Sequence, residues 1–270
     1  MMRVVLFAPT PTSLYSRLVA HELHRQSGVD LVAIYIRRLW SYKRIQTDLR
    51  REGPRLLQKI YEKLIVSPIA ADRAKQTPLV NLAIALGLEF TNLVNFCQKN
   101  GVLCHKVYDF NSASSEAGLK ELSPDLIVFT GGGLIRRNIL EIPDLGVLNC
   151  HSGLLPRYRG MDTLEWAILE AKETLPQVGL TLHFMDSGVD TGSILRRHIE
   201  ELRPGETLDT VRKRLEPEMV RLISTGVHDL QRGELEAEAQ EHSAGRQYFV
   251  IHPRLAAQAA LKLSQSAGAS

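Results

Sequence analysis

Short, β-branched apolar runs separated by helix-like stretches constrain this chain more than any other feature. Arg3 to Ala8 (RVVLFA), Leu31 to Ile36 (LVAIYI) and Asp125 to Thr130 (DLIVFT) are too short for helices and do not alternate in polarity. Such runs read as strands buried on both faces, the pattern of a parallel sheet. Between the first two, Ser13 can cap a helix reaching about Gln26, which makes a βαβ unit. Strand-like Val102 to Val107 precedes a helix over Ser112 to Leu122, and Gly146 opens another strand. Helical patterns are also expected over Leu88 to Asn100 and Leu134 to Leu140, and Thr77-Pro78 is expected to be a loop. The fold class expected is α/β, a doubly wound and mainly parallel sheet.

Further on, Leu180 to Met185 and Ser193 to Ile199 are expected to pair as strands. A long amphipathic helix follows the turn at Pro204-Gly205, with Leu208, Val211, Leu215, Met219, Leu222 and Ile223 as its stripe and Pro217 expected to kink it. Gln247 to Ile251 reads as a last edge strand, and Ala256 to Ser270 as a helix-like tail that frays. The domain division expected is 1–235 as the main unit and 236–270 as a short C-terminal extension.

A net charge of +3 neither demands nor forbids a nucleic-acid partner. The basic residues of the 37–74 stretch, among them Arg37, Arg38, Lys43, Arg44, Arg50, Arg51 and Arg55, would suit an anionic partner, although charge alone more often marks a solvated helix face. Three cysteines, Cys97, Cys104 and Cys150, form no CxxC pair and no zinc spacing, which suits a reducing compartment. No apolar run is long enough to span a bilayer and no secretory leader is apparent, so a cytoplasmic protein away from the membrane is expected.

The chemistry concentrates between Gly146 and Leu195. Asn149 and His151 are two apart and share one strand face, where an amide donor beside an imidazole can serve a carbonyl that becomes an oxyanion. Cys150 between them points the other way and reads as a buried structural thiol. Asp190, in a Gly-flanked turn, is placed to orient the imidazole or relay a proton. Alone, a histidine is usually a hydrogen-bonded structural residue and an Asp in SGVDTG a turn former. Gly131-Gly132-Gly133 after a strand allows close approach by a ligand or another backbone, or is a plain tight turn. Metal ligation by His183, Asp186 and Asp190 ranks low, because three-residue spacing at a strand end gives no reliable geometry, and no metal is expected.

Taken together, Asn149-Cys150-His151, Leu154-Leu155-Pro156, Gly179-Leu180-Thr181-Leu182-His183 and Asp190-Thr191-Gly192 resemble the ordered pattern of the formyltransferase family that uses 10-formyltetrahydrofolate. One departure is Ser152-Gly153, where many members have Pro-Ser. The resemblance implies a Rossmann-type fold and formyl transfer to an amine in one-carbon metabolism. It implies that Asn149 and His151 stabilise the tetrahedral intermediate and that Asp190 orients the imidazole and manages protons. It also implies that the pterin lies against Gly132, Gly133, Leu134 and Ile135 on one side and the loop from Asp186 on the other.

Among acceptors, glycinamide ribonucleotide is marked down because Pro9-Thr10-Pro11-Thr12 stands where those enzymes carry a Gly-rich phosphate loop. Methionyl-tRNA is marked down because few residues follow Gly233, although Arg157-Tyr158-Arg159-Gly160 resembles the basic turn of those enzymes. A small-molecule amine, such as an amino sugar or modified amino acid, is the expected acceptor. The basic stretch 37–74 is expected to line the acceptor site or form a homodimer surface. A hydrolase using water as acceptor, and a non-catalytic folate- or RNA-binding module, stay open as other classes.

Overall fold

The computed structural model describes residues 1–38, 76–88, 92–172, 175–203 and 205–266. Seven strands form one sheet: β1 (Met2–Ala8), β2 (Val29–Arg37), β3 (Leu103–Val107), β4 (Leu126–Phe129), β5 (Gly146–His151), β7 (Val178–Phe184) and β8 (Ile194–Glu200), in the order β3-β2-β1-β4-β5-β7-β8. The first five are parallel, and β7 and β8 add antiparallel at one end. The chain runs outward from β1 through β2 to β3 and then restarts at β4 on the other side of β1. This reversal opens a crevice at the carboxyl ends of β1 and β4, where open α/β sheets bind ligands.

The period of two divides the core. Val4, Leu6, Leu126, Val128, Leu148 and Cys150 face one layer, with α1 (Leu14–Arg25) and α7 (Leu208–Gln231). Val5, Phe7, Ile127, Phe129 and Val147 face the other, with Phe110, Leu119 and Ile139. Asn149 and His151 therefore fall on the Val147 face, beyond the end of its apolar layer. The expected Ser13 cap forms, its Oγ accepting from Ser16 N–H, and Ser112 Oγ likewise accepts from Ser115 N–H. α4 (Ala113–Leu122) ends with Ser123 in the left-handed region.

Several expectations change. Thr77-Pro78 starts a helix, α2 (Pro78–Ala85), in which the Thr77 hydroxyl caps Val80 N–H and proline takes the first turn, where it sacrifices no helical hydrogen bond. α3 (Leu93–Asn100) begins later than Leu88, and the short helix α5 (Arg137–Leu140) begins at Arg137 rather than Leu134. α7 continues through the buried Pro217 to Gln231. The 247–251 stretch does not edge the main sheet. Its strand, β9 (Arg246–Tyr248), pairs in parallel with β6 (Tyr158–Gly160) in a separate two-stranded sheet. The tail forms α8 (Pro253–Ser266), whose Ala259 and Leu263 are buried beside α6 (Thr163–Glu170). Nearly all of the basic 37–74 stretch lies outside the described residues. No described helix is long and apolar enough to cross a membrane.

If α8 is docked through this contact, Leu263→Ala should lower the unfolding free energy by about 2–4 kcal/mol, the usual loss for truncating a buried leucine. A urea midpoint unchanged from the parent would show that the tail adds nothing to the core.

Candidate active site

The site is built by strand register. Across the antiparallel β5–β7 pair, Asn149 stands opposite His183 and His151 opposite Thr181. Opposed side chains on one face of such a pair sit close enough to touch. Asn149 Nδ2 lies 3.2 Å from His183 Nε2. Thr181, fully buried, donates from Oγ1 to Gly153 O (2.7 Å) and accepts from Leu155 N–H (3.1 Å). That hydroxyl fastens the turn after His151 onto the neighbouring strand. The turn contains a cis Leu155–Pro156 bond.

Asp190 reaches the same place from the loop after β7. Its Oδ2 is 3.4 Å from His151 Nδ1 and its Oδ1 is 3.6 Å from His183 Nε2. Oδ2 also accepts from Gly160 N–H at 2.9 Å. Asp190 has φ 53°, a left-handed conformation that Asp adopts more readily than most residues. Glycine is required at 160 as well: φ is 95°, and a Cβ there would stand 2.1 Å from Tyr248 O. The three residues named from the sequence, Asn149, His151 and Asp190, thus meet in one cluster.

The hydrogen bonds fix the protons. His151 Nε2 is 2.9 Å from Tyr158 O. A carbonyl only accepts, so Nε2 carries a hydrogen, and Nδ1 is the nitrogen that faces Asp190. His183 is wired the other way: Nδ1–H donates to Phe184 O (2.8 Å), leaving an Nε2 lone pair for Asn149. Burial drives its pKa below the ordinary 6.5, and the nearby His151 pushes the same way, while Asp190 opposes them. A neutral His183 orients the Asn149 amide, which keeps its second N–H for a ligand. The sequence reading gave His183 no such role; the residue types alone do not show it, and the cross-strand register does.

Gly153 lets the imidazole lie as it does. A Cβ there would meet His151 Nε2 at 2.7 Å and Tyr158 O at 2.9 Å. The Ser152-Gly153 departure is therefore tied to the ring's contact with the Tyr158 carbonyl. Cys150 is buried, and burial raises its thiol pKa far above neutral, as a structural role requires. Among the described residues, no group of three or more His, Cys, Asp or Glu side chains is arranged to hold a metal ion.

The other residues named from the sequence form two loops flanking the cluster. Gly132 carries φ 121°, and a Cβ on it would strike Phe110 at 2.6 Å. The Arg37 guanidinium donates to Gly132 O. Leu134 is exposed and Ile135 is buried, while Asn111 pins this turn through Leu134 O (2.9 Å) and Arg136 N–H (2.6 Å). Opposite, Asp186 Oδ1 accepts from Gly188 N–H (3.0 Å) and Thr191 Oγ1 (2.6 Å), so that oxygen shapes its own loop. Met185, which enters that loop, packs on the same apolar layer as Ile135.

A neutral buried His183 has a linkage consequence. Because its folded pKa is depressed, the unfolded chain binds the extra proton more readily as pH falls through 6.5. Its contribution is a loss of stability that grows from about pH 7 downward and levels off below the folded pKa. His183→Gln keeps an acceptor for Asn149 and removes the titration. Urea unfolding free energies measured across this range should fall less steeply in the variant; parallel curves would rule the assignment out.

Comparison with known proteins bears on this geometry. A family model described as Formyl transferase matches residues 93–227, half of the chain. Proteins named methionyl-tRNA formyltransferase are similar to part of the chain. The one from Desulfotalea psychrophila is 37% identical over 126 residues, covering 46% of this chain and 38% of the relative. The one from Methylacidiphilum infernorum is 37% identical over 142 residues, covering 50% and 43%. The chain spans less than half the length of these relatives. In fold it is similar to a sugar N-formyltransferase from a Shewanella species (TM-score 0.57, 16% identity, 97% of this chain and 88% of that one). It is also similar to a phosphoribosylglycinamide formyltransferase from Anaplasma phagocytophilum (TM-score 0.58, 13% identity, 93% and 99%). Asn149, His151, His183 and Asp190 all fall within the matched half, and the chain belongs to the formyl transferase family.

Proposed function

We propose that this chain transfers a formyl group from 10-formyltetrahydrofolate to a primary amine on a small metabolite. The observation that carries the reading is the single cluster of Asn149, His151 and Asp190 at the carboxyl end of β5. In this reading the acceptor nitrogen attacks the formyl carbon, and the carbonyl oxygen takes on negative charge. The free N–H of Asn149 and a protonated Nδ1 edge of His151 meet that charge. With Nε2 held by the Tyr158 carbonyl, Nδ1 is the edge of the ring available to substrate, and Asp190 shares it. Asp190 takes the proton lost by the attacking nitrogen, and a proton returns to the folate nitrogen as the carbon–nitrogen bond to the donor breaks. The pterin is assigned to the Gly131–Ile135 turn and the Asp186–Asp190 loop, with Phe110 and Arg37 packed where side chains at Gly132 and Gly133 would stand.

The basic turn supports a small acceptor over a polyanion. Arg157 is exposed, but Arg159 is buried and its guanidinium donates to Gly245 O at 3.2 Å. One exposed arginine makes a weak electrostatic footprint for nucleic acid. The second reading, methionyl-tRNA as acceptor, is favoured by the names of the relatives above. Salt separates the two: tRNA as acceptor requires a steep loss of kcat/KM with ionic strength, and a small neutral acceptor does not. Three free thiols, Cys97, Cys104 and Cys150, fit a cytoplasmic setting.

The test is a panel of amines incubated with 10-formyltetrahydrofolate, following tetrahydrofolate release and the gain of one formyl group by mass. His151→Ala and Asp190→Asn should each lower kcat by about 10²- to 10⁴-fold while tetrahydrofolate still binds. Formate release with no amine present would make the protein a hydrolase instead. A rate unchanged in both variants would remove the cluster from the chemistry.

A further inference from the structure

We infer that Gln240, outside the region matched by the family model, is a positioning residue for Asp190; this rests on the formyl-transfer reading above. The chain returns to the site after α7. Ile194 and Glu238 exchange both backbone hydrogen bonds (2.8 Å each), and Arg197 pairs with the Glu238 carboxylate at 3.0 Å. Two residues further on, the Gln240 carboxamide donates from Nε2 to Asp190 O (3.0 Å) and to Gly192 O (2.6 Å). Both partners are carbonyls, so the NH2 orientation is fixed by chemistry: only the nitrogen can donate twice.

The placement matters because of what the loop between those carbonyls must do. Asp190 sits in a left-handed conformation, and its carboxylate has to face His151, His183 and Gly160 N–H at once. A carboxylate held on a short loop loses its aim if the peptide planes on either side rotate. Gln240 ties the planes that follow Asp190 and Gly192. Gly192 can supply its carbonyl there because a Cβ would lie 1.9 Å from Phe184 O, which only glycine avoids. The remaining oxygen of Gln240, Oε1, is buried without a hydrogen-bond partner. An apolar side chain would carry no such burden, so the residue type is explained by the two donated bonds. Gln240 also lines a cleft of about 320 Å³ with Met185, Asp186 and Thr191, next to the loop it holds.

The second tie runs through β9. Met161 N–H donates to Tyr248 O (3.0 Å), and Ile251 N–H to Asp162 Oδ2 (2.8 Å). These bonds hold the two residues that follow Gly160, whose N–H donates to the Asp190 carboxylate. The segment 238–251 thus braces the aspartate indirectly through the neighbours of Gly160 and, at Gln240, by direct contact with its backbone.

The experiment uses the full chain with Gln240→Met, which fills the volume and lacks donors, and Gln240→Glu, which turns donors into acceptors. The Gly160 amide proton resonance reports on the Asp190 carboxylate, with Asp190→Asn as reference. Both variants should move that resonance toward the reference, while the His21 and His24 resonances on α1 stay in place. kcat should fall about 10- to 100-fold with the donor KM little changed, the scale of loss for a misplaced catalytic group. An unmoved Gly160 resonance in folded Gln240→Met, or a raised KM with kcat intact, overturns the proposal. A moved resonance with no turnover by the parent chain on any amine or water keeps the clamp and removes the formyl-transfer reading.

Discussion

The antiparallel pairing of β7 on β5 is the constraint from which the site follows. It places His183 opposite Asn149 and Thr181 opposite His151. A shift of one residue would turn His183 and Thr181 to the opposite face and leave the Asn149 amide and the turn after His151 unmatched. The register is held by apolar residues on the other face: Leu148, Cys150, Leu180 and Leu182 all enter the layer packed by α7. Polar chemistry on one face is thus positioned by packing on its reverse. Gly226 of α7 belongs to this arrangement, since a Cβ there would lie 2.2 Å from Leu182 Cδ2. The helix comes that close to the strand because it carries no side chain at the contact.

Two imidazoles share the cluster, and their backbone partners separate their tasks. Each donates one N–H to a carbonyl, but through opposite nitrogens. His183 therefore turns a lone pair to an amide, and His151 turns its Nδ1 to a carboxylate. Desolvation favours the neutral form of the first. Two histidines both able to charge would repel each other across ring centres 6.4 Å apart. Fixing one as neutral removes that conflict without removing the ring.

The parts of this arrangement that the sequence could disclose are those that depend on near neighbours. β1, β2 and β4 are buried on both faces, and their runs announce themselves; Ser13 and Ser112 cap helices whose starts they mark. Asn149, His151 and Asp190 were nameable because their motif is ordered along the chain. What was hidden depends on distant partners. Thr77-Pro78 reads equally as a turn or a helix start, and the helix wins because Leu79, Val80 and Ala83 find a core to enter. β9 is a short run whose partner, β6, lies far back in the chain. Gln240 looks like any polar residue of a connecting segment, and its meaning comes from a contact across 50 residues.

The division between the matched half of the chain and its flanks has a physical counterpart. Asn149, His151, His183 and Asp190 lie within residues 93–227, whereas several groups that hold them lie outside. Arg37 of β2 anchors Gly132 O, and Phe110, which limits the space at Gly132, stacks on Phe7 of β1 at 4.5 Å. At the other end of the chain, Gln240 and Tyr248 brace the backbone around Asp190 and Gly160. Reacting groups are restricted to a few residue types by their chemistry. The groups that brace them need only supply a donor, a surface or a close approach, and many sequences can do that. The family model covers the first kind of group and ends, at residue 227, before Gln240 and Tyr248. The precision of the Asp190 carboxylate is thus set by residues whose own identity carries no chemical signature.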